Sequence, residues 1–250
     1  MSESSSAKTS TDDGQLLSKV ADALRKAEVA MARKDVEEQV LPLQRLKSAF
    51  LVAQVEADRS ASILLFALAE DIMLEAFKCH LNLSIRGGWS GVTGGNGVLA
   101  TASDRIAPLE LLYWIRPRSC ADLRLMKSIR NRFAHHAEVN SFGDTKVAGW
   151  VTSMTSYEDP ALTLIRKQIG QADRTLSLRE RFLMRSLGTL VNLATDLAVG
   201  PIATKRRVSP SELTGGGFDS QPDNIKEATL FQAGMYIDLM KGIEPSEKRP

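Results

Sequence analysis

Apolar residues recur at intervals of three and four along most of this chain, the spacing that lines one face of an α-helix. Such segments run from Gln15 to Glu38, Leu43 to about Leu81, Leu99 to Ile115, Leu176 to Val199 and Ile225 to Met240. Strand-like alternation does not persist anywhere in the sequence, and no internal repeat is found. The pattern predicts an all-α protein, an irregular helical bundle.

The segment from Leu43 to Leu81 carries the longest helical signal. From Ala61 onward it is apolar around much of its circumference, so it is predicted to be the central core helix. Glu70 and Asp71 interrupt this stretch. A buried carboxylate needs a partner, and Arg105, at the start of another predicted helix, is the candidate. Surface or interface charges are the favoured interpretation of Glu70 and Asp71, and a role in orienting an arginine is the alternative.

Proline and glycine mark the predicted boundaries. Pro42 separates the first two helices, Pro117 ends the third, and Gly200-Pro201 ends the fourth. Residues 86–97 contain six glycines in twelve positions, which predicts a flexible loop without helix, the alternative being a lid over an anion. The predicted parts are a disordered tail (1–14), a helical domain (15–200), a linker or arm (201–224), and a short C-terminal helix with a tail (225–250).

The stretch from Asp122 to His136 contains no glycine and no proline. Met126, Ile129 and Phe133 are spaced to line one face of a helix, which predicts that this face anchors the helix in a core. Ser119 is the predicted N-cap. The cationic and imidazole side chains around this stripe are Arg124, Lys127, Arg130, Arg132, His135 and His136. The pattern indicates a helix with one core side and one side suited to an anion.

The segment Arg130-Asn131-x-Phe133-Ala134-His135 resembles the arginine-polar-x3-histidine signature of HEPN-type helical domains. With Ser103–Ile106 and Asp122-Leu123 upstream, residues 45–198 resemble the mannitol operon repressor (MltR-like) family. This resemblance implies a helical domain with a role in repressing a sugar-alcohol operon.

Two functional hypotheses follow from this segment. The HEPN resemblance implies a metal-independent ribonuclease in which His135 is the general acid–base, Arg130 holds the scissile phosphate and Asn131 orients either group. Positions five apart differ by roughly 140° around a helix, so Arg130 and His135 do not share a face. In HEPN domains two protomers place their motifs face to face across a dimer interface, which the resemblance implies here.

The second hypothesis, which we favour, is a non-catalytic transcriptional regulator. Arg130 is then expected to pair with a core carboxylate, while Asn131 and His135 satisfy buried polar groups. The sequence has no helix-turn-helix signature and no basic strip interleaved with aromatic residues. We therefore expect weak or no direct DNA binding and regulation through a protein partner.

Composition bears on which ligands and partners the protein is expected to have. The net charge of +2 is too small to argue for nucleic-acid binding by itself. Two cysteines and three histidines form no metal-binding spacing, so no metal and no cofactor is expected. The longest apolar run, Ile63 to Phe77, contains Glu70 and Asp71 and is too short to span a bilayer, which predicts a cytoplasmic protein without membrane contact. The helix predicted over Asp122 to His136, called the focal helix below, and the helix at 61–77 carry a large apolar surface. This surface predicts a homodimer.

Overall fold

A computed structural model describes residues 6–81, 88–155, 167, 175–214 and 218–242. The helices are α1 (Ser6–Glu37), α2 (Leu43–Val55), α3 (Asp58–His80), α4 (Gly88–Thr93), α5 (Ala102–Leu111), α6 (Pro117–His135), α7 (Thr145–Ser153), α8 (Leu178–Arg206), α9 (Pro210–Thr214) and α10 (Asp223–Gly242), with a 3-10 turn at Phe218–Ser220. The described residues contain no strand. The prediction of an all-α bundle is confirmed.

Helix α3 lies at the centre of the bundle and packs against α2, α5, α6 and α8. Arg59, in the first turn of α3, donates to the carbonyl of His136, just beyond the end of α6, so α3 and α6 run in opposite directions. Arg179, in the first turn of α8, pairs with Asp58 in the first turn of α3. The starts of α3 and α8 and the end of α6 therefore meet at one end of the bundle.

The core at this end is aromatic. The ring of Phe133 meets Phe142 edge-on at 5.4 Å between centroids, and Phe142 lies 4.5 Å from Phe182 in a tilted arrangement. All three side chains are fully buried. Helix α6 is thus held to α8 through the loop that carries Phe142, in a geometry that aromatic pairs favour.

A second, smaller core joins the two ends of the chain. It consists of the buried residues Ala32, Val36, Val199, Ile202, Ala203, Val208, Leu213 and Ile225. Arg206 pairs with Asp35 at 2.6 Å and with Glu28 at 3.2 Å, and Arg25 pairs with Glu212. The second half of α1 therefore packs against the end of α8, α9 and the start of α10.

The prediction of a linker or arm at 201–224 is wrong for the described part of that range. Helix α8 continues to Arg206, α9 follows, and Leu213 is fully buried against α1. The glycine run at 215–217 lies outside the described residues. Helix α10 also packs on the body, because the Tyr236 hydroxyl donates to the Met184 carbonyl at 2.8 Å.

The predicted tail at 1–14 is also corrected. Helix α1 begins at Ser6, so residues 6–14 continue the helix, while residues 1–5 lie outside the described part. No proline interrupts this segment. Extending an existing helix requires less free energy than nucleating a new one. The polar composition of residues 6–14 is therefore not enough to end the helix.

The predicted long helix from Leu43 to Leu81 is divided into α2 and α3. Glu56 and Ala57 are extended, with ψ of 159° and 156°. The Arg179 guanidinium accounts for the break, because its Nη2 donates to the carbonyls of Ala53, Gln54 and Glu56 at 3.0, 3.1 and 2.5 Å. This cation satisfies carbonyl groups that a continuous helix would bond internally.

The predicted pairing of Arg105 with the central helix is confirmed. Its Nη1 lies 3.8 Å from Glu70 Oε1, and both side chains are largely shielded from solvent. Asp71 instead pairs at 3.5 Å with Arg45, where both side chains are exposed. Of the two adjacent acids, Glu70 is therefore half-buried and Asp71 lies on the surface.

The glycine-rich segment forms a short helix, α4, contrary to the prediction of a loop. Gly88 and Gly95 bracket this helix with φ of +59° and +50°, the left-handed region that favours glycine. The glycines therefore provide the turns on either side. Residues 86 and 87 lie outside the described part.

Helix boundaries near the focal stretch also differ from expectation. Pro108 lies inside α5, whose N-cap is Thr101 in a capping box with Asp104. Pro117 begins α6 instead of ending the helix before it, and occupies the first position, where a missing N–H is harmless. Ser119 therefore lies inside the first turn of α6 and is not its N-cap.

Helix α8 passes through Gly200 and Pro201, where the sequence predicted its end. A Cβ at Gly200 would lie 2.3 Å from the Trp114 carbonyl oxygen, so glycine allows α8 to approach the main chain before α6. Helix α8 is long and apolar enough to cross a membrane, yet most of that stretch is buried inside the bundle. It is, with α3, one of the two helices that form most of the core.

The two cysteines differ in accessibility, which gives a prediction. Cys79 is exposed and Cys120 is fully buried, and burial raises the pKa of the Cys120 thiol to about 11. We expect a thiol reagent at about pH 8 to modify one cysteine per native chain and two after unfolding, because the thiolate is the reactive species. Mass spectrometry of the modified peptides checks this. Rapid labelling of Cys120 in the native protein would contradict the packing of α6.

Candidate functional site

Helix α6 is anchored as its apolar spacing predicts. Met126, Ile129 and Phe133 each expose no more than 1% of their surface to solvent. This stripe faces α3 and α8 inside a single chain. The focal helix therefore does not need a second copy to cover its apolar face, and that part of the reasoning for a homodimer is wrong.

The structure places the three candidate residues at the C-terminal end of α6. Arg130 is half-buried, and its Nη1 donates to Asn131 Oδ1 at 3.0 Å. His135 is exposed in the last turn. In the described part of the chain, neither Arg130 nor His135 contacts a carboxylate. One chain brings Arg130 and Asn131 together and leaves His135 apart.

The expected clamp, with His135 satisfying a buried group, is therefore wrong. The anchoring role falls to a neighbour that sequence reasoning did not single out. Arg59 Nη2 donates to the carbonyls of His136, Ala137 and Val139 at 3.0, 3.0 and 2.8 Å. A single cation thus holds the chain as it leaves α6, where unpaired carbonyl groups accumulate.

Two of the four cationic side chains of the stretch from Asp122 to His136 are neutralised by carboxylates. Arg124 pairs with Glu110, and Arg132 pairs with Asp144 at 3.2 Å. The Arg132 guanidinium and the amides of α7 hold the pKa of Asp144 below its ordinary value. Lys127 contacts the Ser103 hydroxyl. The helix therefore does not present the continuous anion-binding face that its composition suggested.

Asp196 organises the other end of α6. Its Oδ1 pairs with Arg116 Nε at 2.6 Å, and its Oδ2 accepts from the Arg116 amide at 3.1 Å and the Ser119 hydroxyl at 2.8 Å. The carboxyl is buried in α8, and this burial raises its pKa. Asp196 thus supplies the cap for α6 that the sequence assigned to Ser119. An acid amid the apolar residues of a core helix was the available signal.

A cavity of about 500 Å³ lies beside this capped end. The Arg116–Asp196 ion pair forms its charged lining. Its other lining residues include the uncharged polar Asn192, Thr195, Gln221, Thr229 and Gln232 and the apolar Val191, Val199 and Ile225. Tyr113, at the cavity, adopts a left-handed φ of 54° and is exposed. Gln221 Oε1 is buried without a partner among the described residues. The cavity therefore offers both charged and uncharged polar groups to a small molecule.

The described residues contain no group of three metal-ligating side chains. Arg130, Asn131 and His135 do not line the cavity of about 500 Å³, nor the cavities of about 130 and 450 Å³ that α3 helps to form. The three candidate residues therefore lie at the C-terminal end of α6, and the cavity lies at its N-terminal end.

Comparison of the chain with protein-family models, with curated proteins and with solved structures found no match.

Proposed function

We propose that this protein is a non-catalytic regulator that acts by binding another protein, in line with its resemblance to the mannitol operon repressor family. The observation that carries the proposal is the separation of the candidate residues. Arg130 is engaged by its neighbour Asn131, and His135, five positions further along α6, is exposed on a different face of the helix. General acid–base catalysis requires the acting groups to be positioned together, and the chain alone does not do this.

The charge distribution supports the same proposal. Arg116, Arg124 and Arg132 each pair with a carboxylate on another element. A protein that reads nucleic acid needs unpaired cations facing the phosphates. Regulation of transcription through a protein partner therefore fits better than direct DNA binding.

A metal-independent ribonuclease of the HEPN type remains the second candidate, and the exposure of His135 favours it. Histidine is the commonest general acid–base side chain, and this one is open to a ligand. Such an activity requires a second chain to bring Arg130 and Asn131 to His135.

Replacing His135 with alanine separates these functions. Because His135 is exposed, we expect the free energy of unfolding to change by no more than about 0.5 kcal/mol. We expect no cleavage of an RNA oligonucleotide in the presence of a chelator, by either the wild type or the variant. Fluorescence from a labelled oligonucleotide measures the cleavage, and denaturant unfolding measures the stability.

His136→Ala is the matched control, because His136 is the adjacent imidazole and pairs with Glu138 at 3.1 Å. Wild-type cleavage that falls roughly 100-fold in a folded His135→Ala variant, and persists in His136→Ala, would replace the proposed regulator with the ribonuclease.

A further inference from the structure

Helix α1 extends beyond the body of the protein. Arg25 contacts Glu212 and the Arg207 carbonyl, and Glu28 and Asp35 pair with Arg206 at the end of α8. Because α1 and α8 run in opposite directions here, the residues before Arg25 continue past the end of α8. Every residue from 18 to 27 is exposed. Residues 18–24 therefore project past the end of α8 as a helical arm.

Helix α1 carries an apolar face that differs from its docking face. Val29, Ala32 and Val36 pack on the body, whereas Val20, Leu24 and Met31 are exposed, Leu24 by 67%. At 100° per residue, the mean directions of these two sets differ by roughly 140°. Packing on the body thus leaves the second apolar face uncovered by the described part of the chain.

The exposed residues have the spacing of a coiled-coil seam. Val20, Leu24, Ala27 and Met31 are separated by four, three and four positions, which are alternating d and a positions of a heptad. The described helix supports two heptads. We define these four residues as the α1 seam.

The positions that flank the seam indicate which helix covers it. Three of the four e and g positions are alanines, at 21, 23 and 30, and the fourth, Glu28, is already paired with Arg206. Charges at e and g positions set partner choice in coiled coils. Here no like charges oppose one another when the same helix pairs with itself, and small side chains let the two backbones approach.

We propose that the α1 seam pairs with the α1 seam of a second copy, so that the protein is a homodimer joined through its N-terminal arms. The proposal does not depend on the regulatory function.

This dimer has a consequence for the ribonuclease alternative. His135 lies near the start of α8, since Arg59 and Asp58 link the end of α6 to Arg179 there. The arm leaves from the other end of α8, whose 29 residues span about 43 Å. An interface formed by α1 therefore does not itself contain His135.

Leu24→Glu tests the proposal, because it places two carboxylates in the seam without touching the core. Sedimentation equilibrium of the full chain is expected to give twice the 27.4 kDa chain mass for the wild type at about 100 µM. For Leu24→Glu we expect the monomer mass, with a dissociation constant raised roughly 100-fold or more. The matched control is Leu230→Glu, since Leu230 is a similarly exposed leucine (63%) on α10, and it should remain dimeric.

Two results would overturn the proposal. One is a wild type that is monomeric at this concentration; if that monomer also sediments with anionic lipid vesicles, the seam is a membrane-surface helix instead. The other is a Leu24→Glu variant that stays dimeric with wild-type affinity, which would place the interface elsewhere.

Discussion

Gly200→Ala is expected to lower the free energy of unfolding by roughly 3 kcal/mol. The added Cβ would lie 2.3, 2.6 and 2.7 Å from the carbonyl oxygen, Cα and carbonyl carbon of Trp114. These are main-chain atoms, which cannot rotate away as a side chain does. Helix α8 and the segment before α6 would have to separate, which disturbs the Asp196 cap as well. Denaturant unfolding followed by circular dichroism measures the loss.

Gly149→Ala provides the control for this prediction. Gly149 lies on the exposed side of α7, and a Cβ there meets nothing within 4 Å. Alanine is favoured over glycine within a helix by about 0.5–1 kcal/mol, so this variant should be as stable as the parent or slightly more so. Equal stability of the two variants would mean that α8 does not approach Trp114 as described.

Phe133→Ala is expected to cost on the order of 3–5 kcal/mol of stability. The ring is fully buried and is the first of the three aromatic rings that connect α6 to α8. Removing it leaves a cavity beside Phe142 and takes away an edge-to-face contact. The midpoint of denaturant unfolding should fall while the far-UV spectrum of the folded variant stays helical.

Phe218→Ala serves as the comparison, because Phe218 is an exposed phenylalanine in the 3-10 turn. A surface truncation of this kind should cost less than about 1 kcal/mol. If the Phe133 variant were no less stable than the Phe218 variant, the apolar stripe of α6 would lie on the surface.

Periodicity predicted the helices better than their ends. The stripes of α3, α6 and α8 were readable because burial of one face requires apolar residues at fixed spacing. The ends depended on distant residues instead. Arg179 binds the Glu56 carbonyl and so separates α2 from α3. The close approach of the Trp114 main chain explains why a glycine lies within α8. Neither contact is visible in the local sequence.

The candidate site was predictable to a similar degree. The spacing of Arg130 and His135 already implied that the two side chains diverge, and the buried stripe of α6 followed from its pattern. The accessibility of His135 did not follow, because it depends on how the loop held by Arg59 leaves the helix. Asp196 was missed because its partners, Arg116 and Ser119, lie about eighty residues away.

The small core that joins α1 to the end of α8 also bears on how the chain folds during synthesis. Arg25 and Glu212 are 187 positions apart, and Ile225 completes the same core. On the ribosome, α1 is made first, yet its docking surface exists only after nearly the whole chain has emerged. Contacts of such sequence separation form late. Nascent α1 therefore spends most of translation with both of its apolar faces exposed, a state in which chaperones bind.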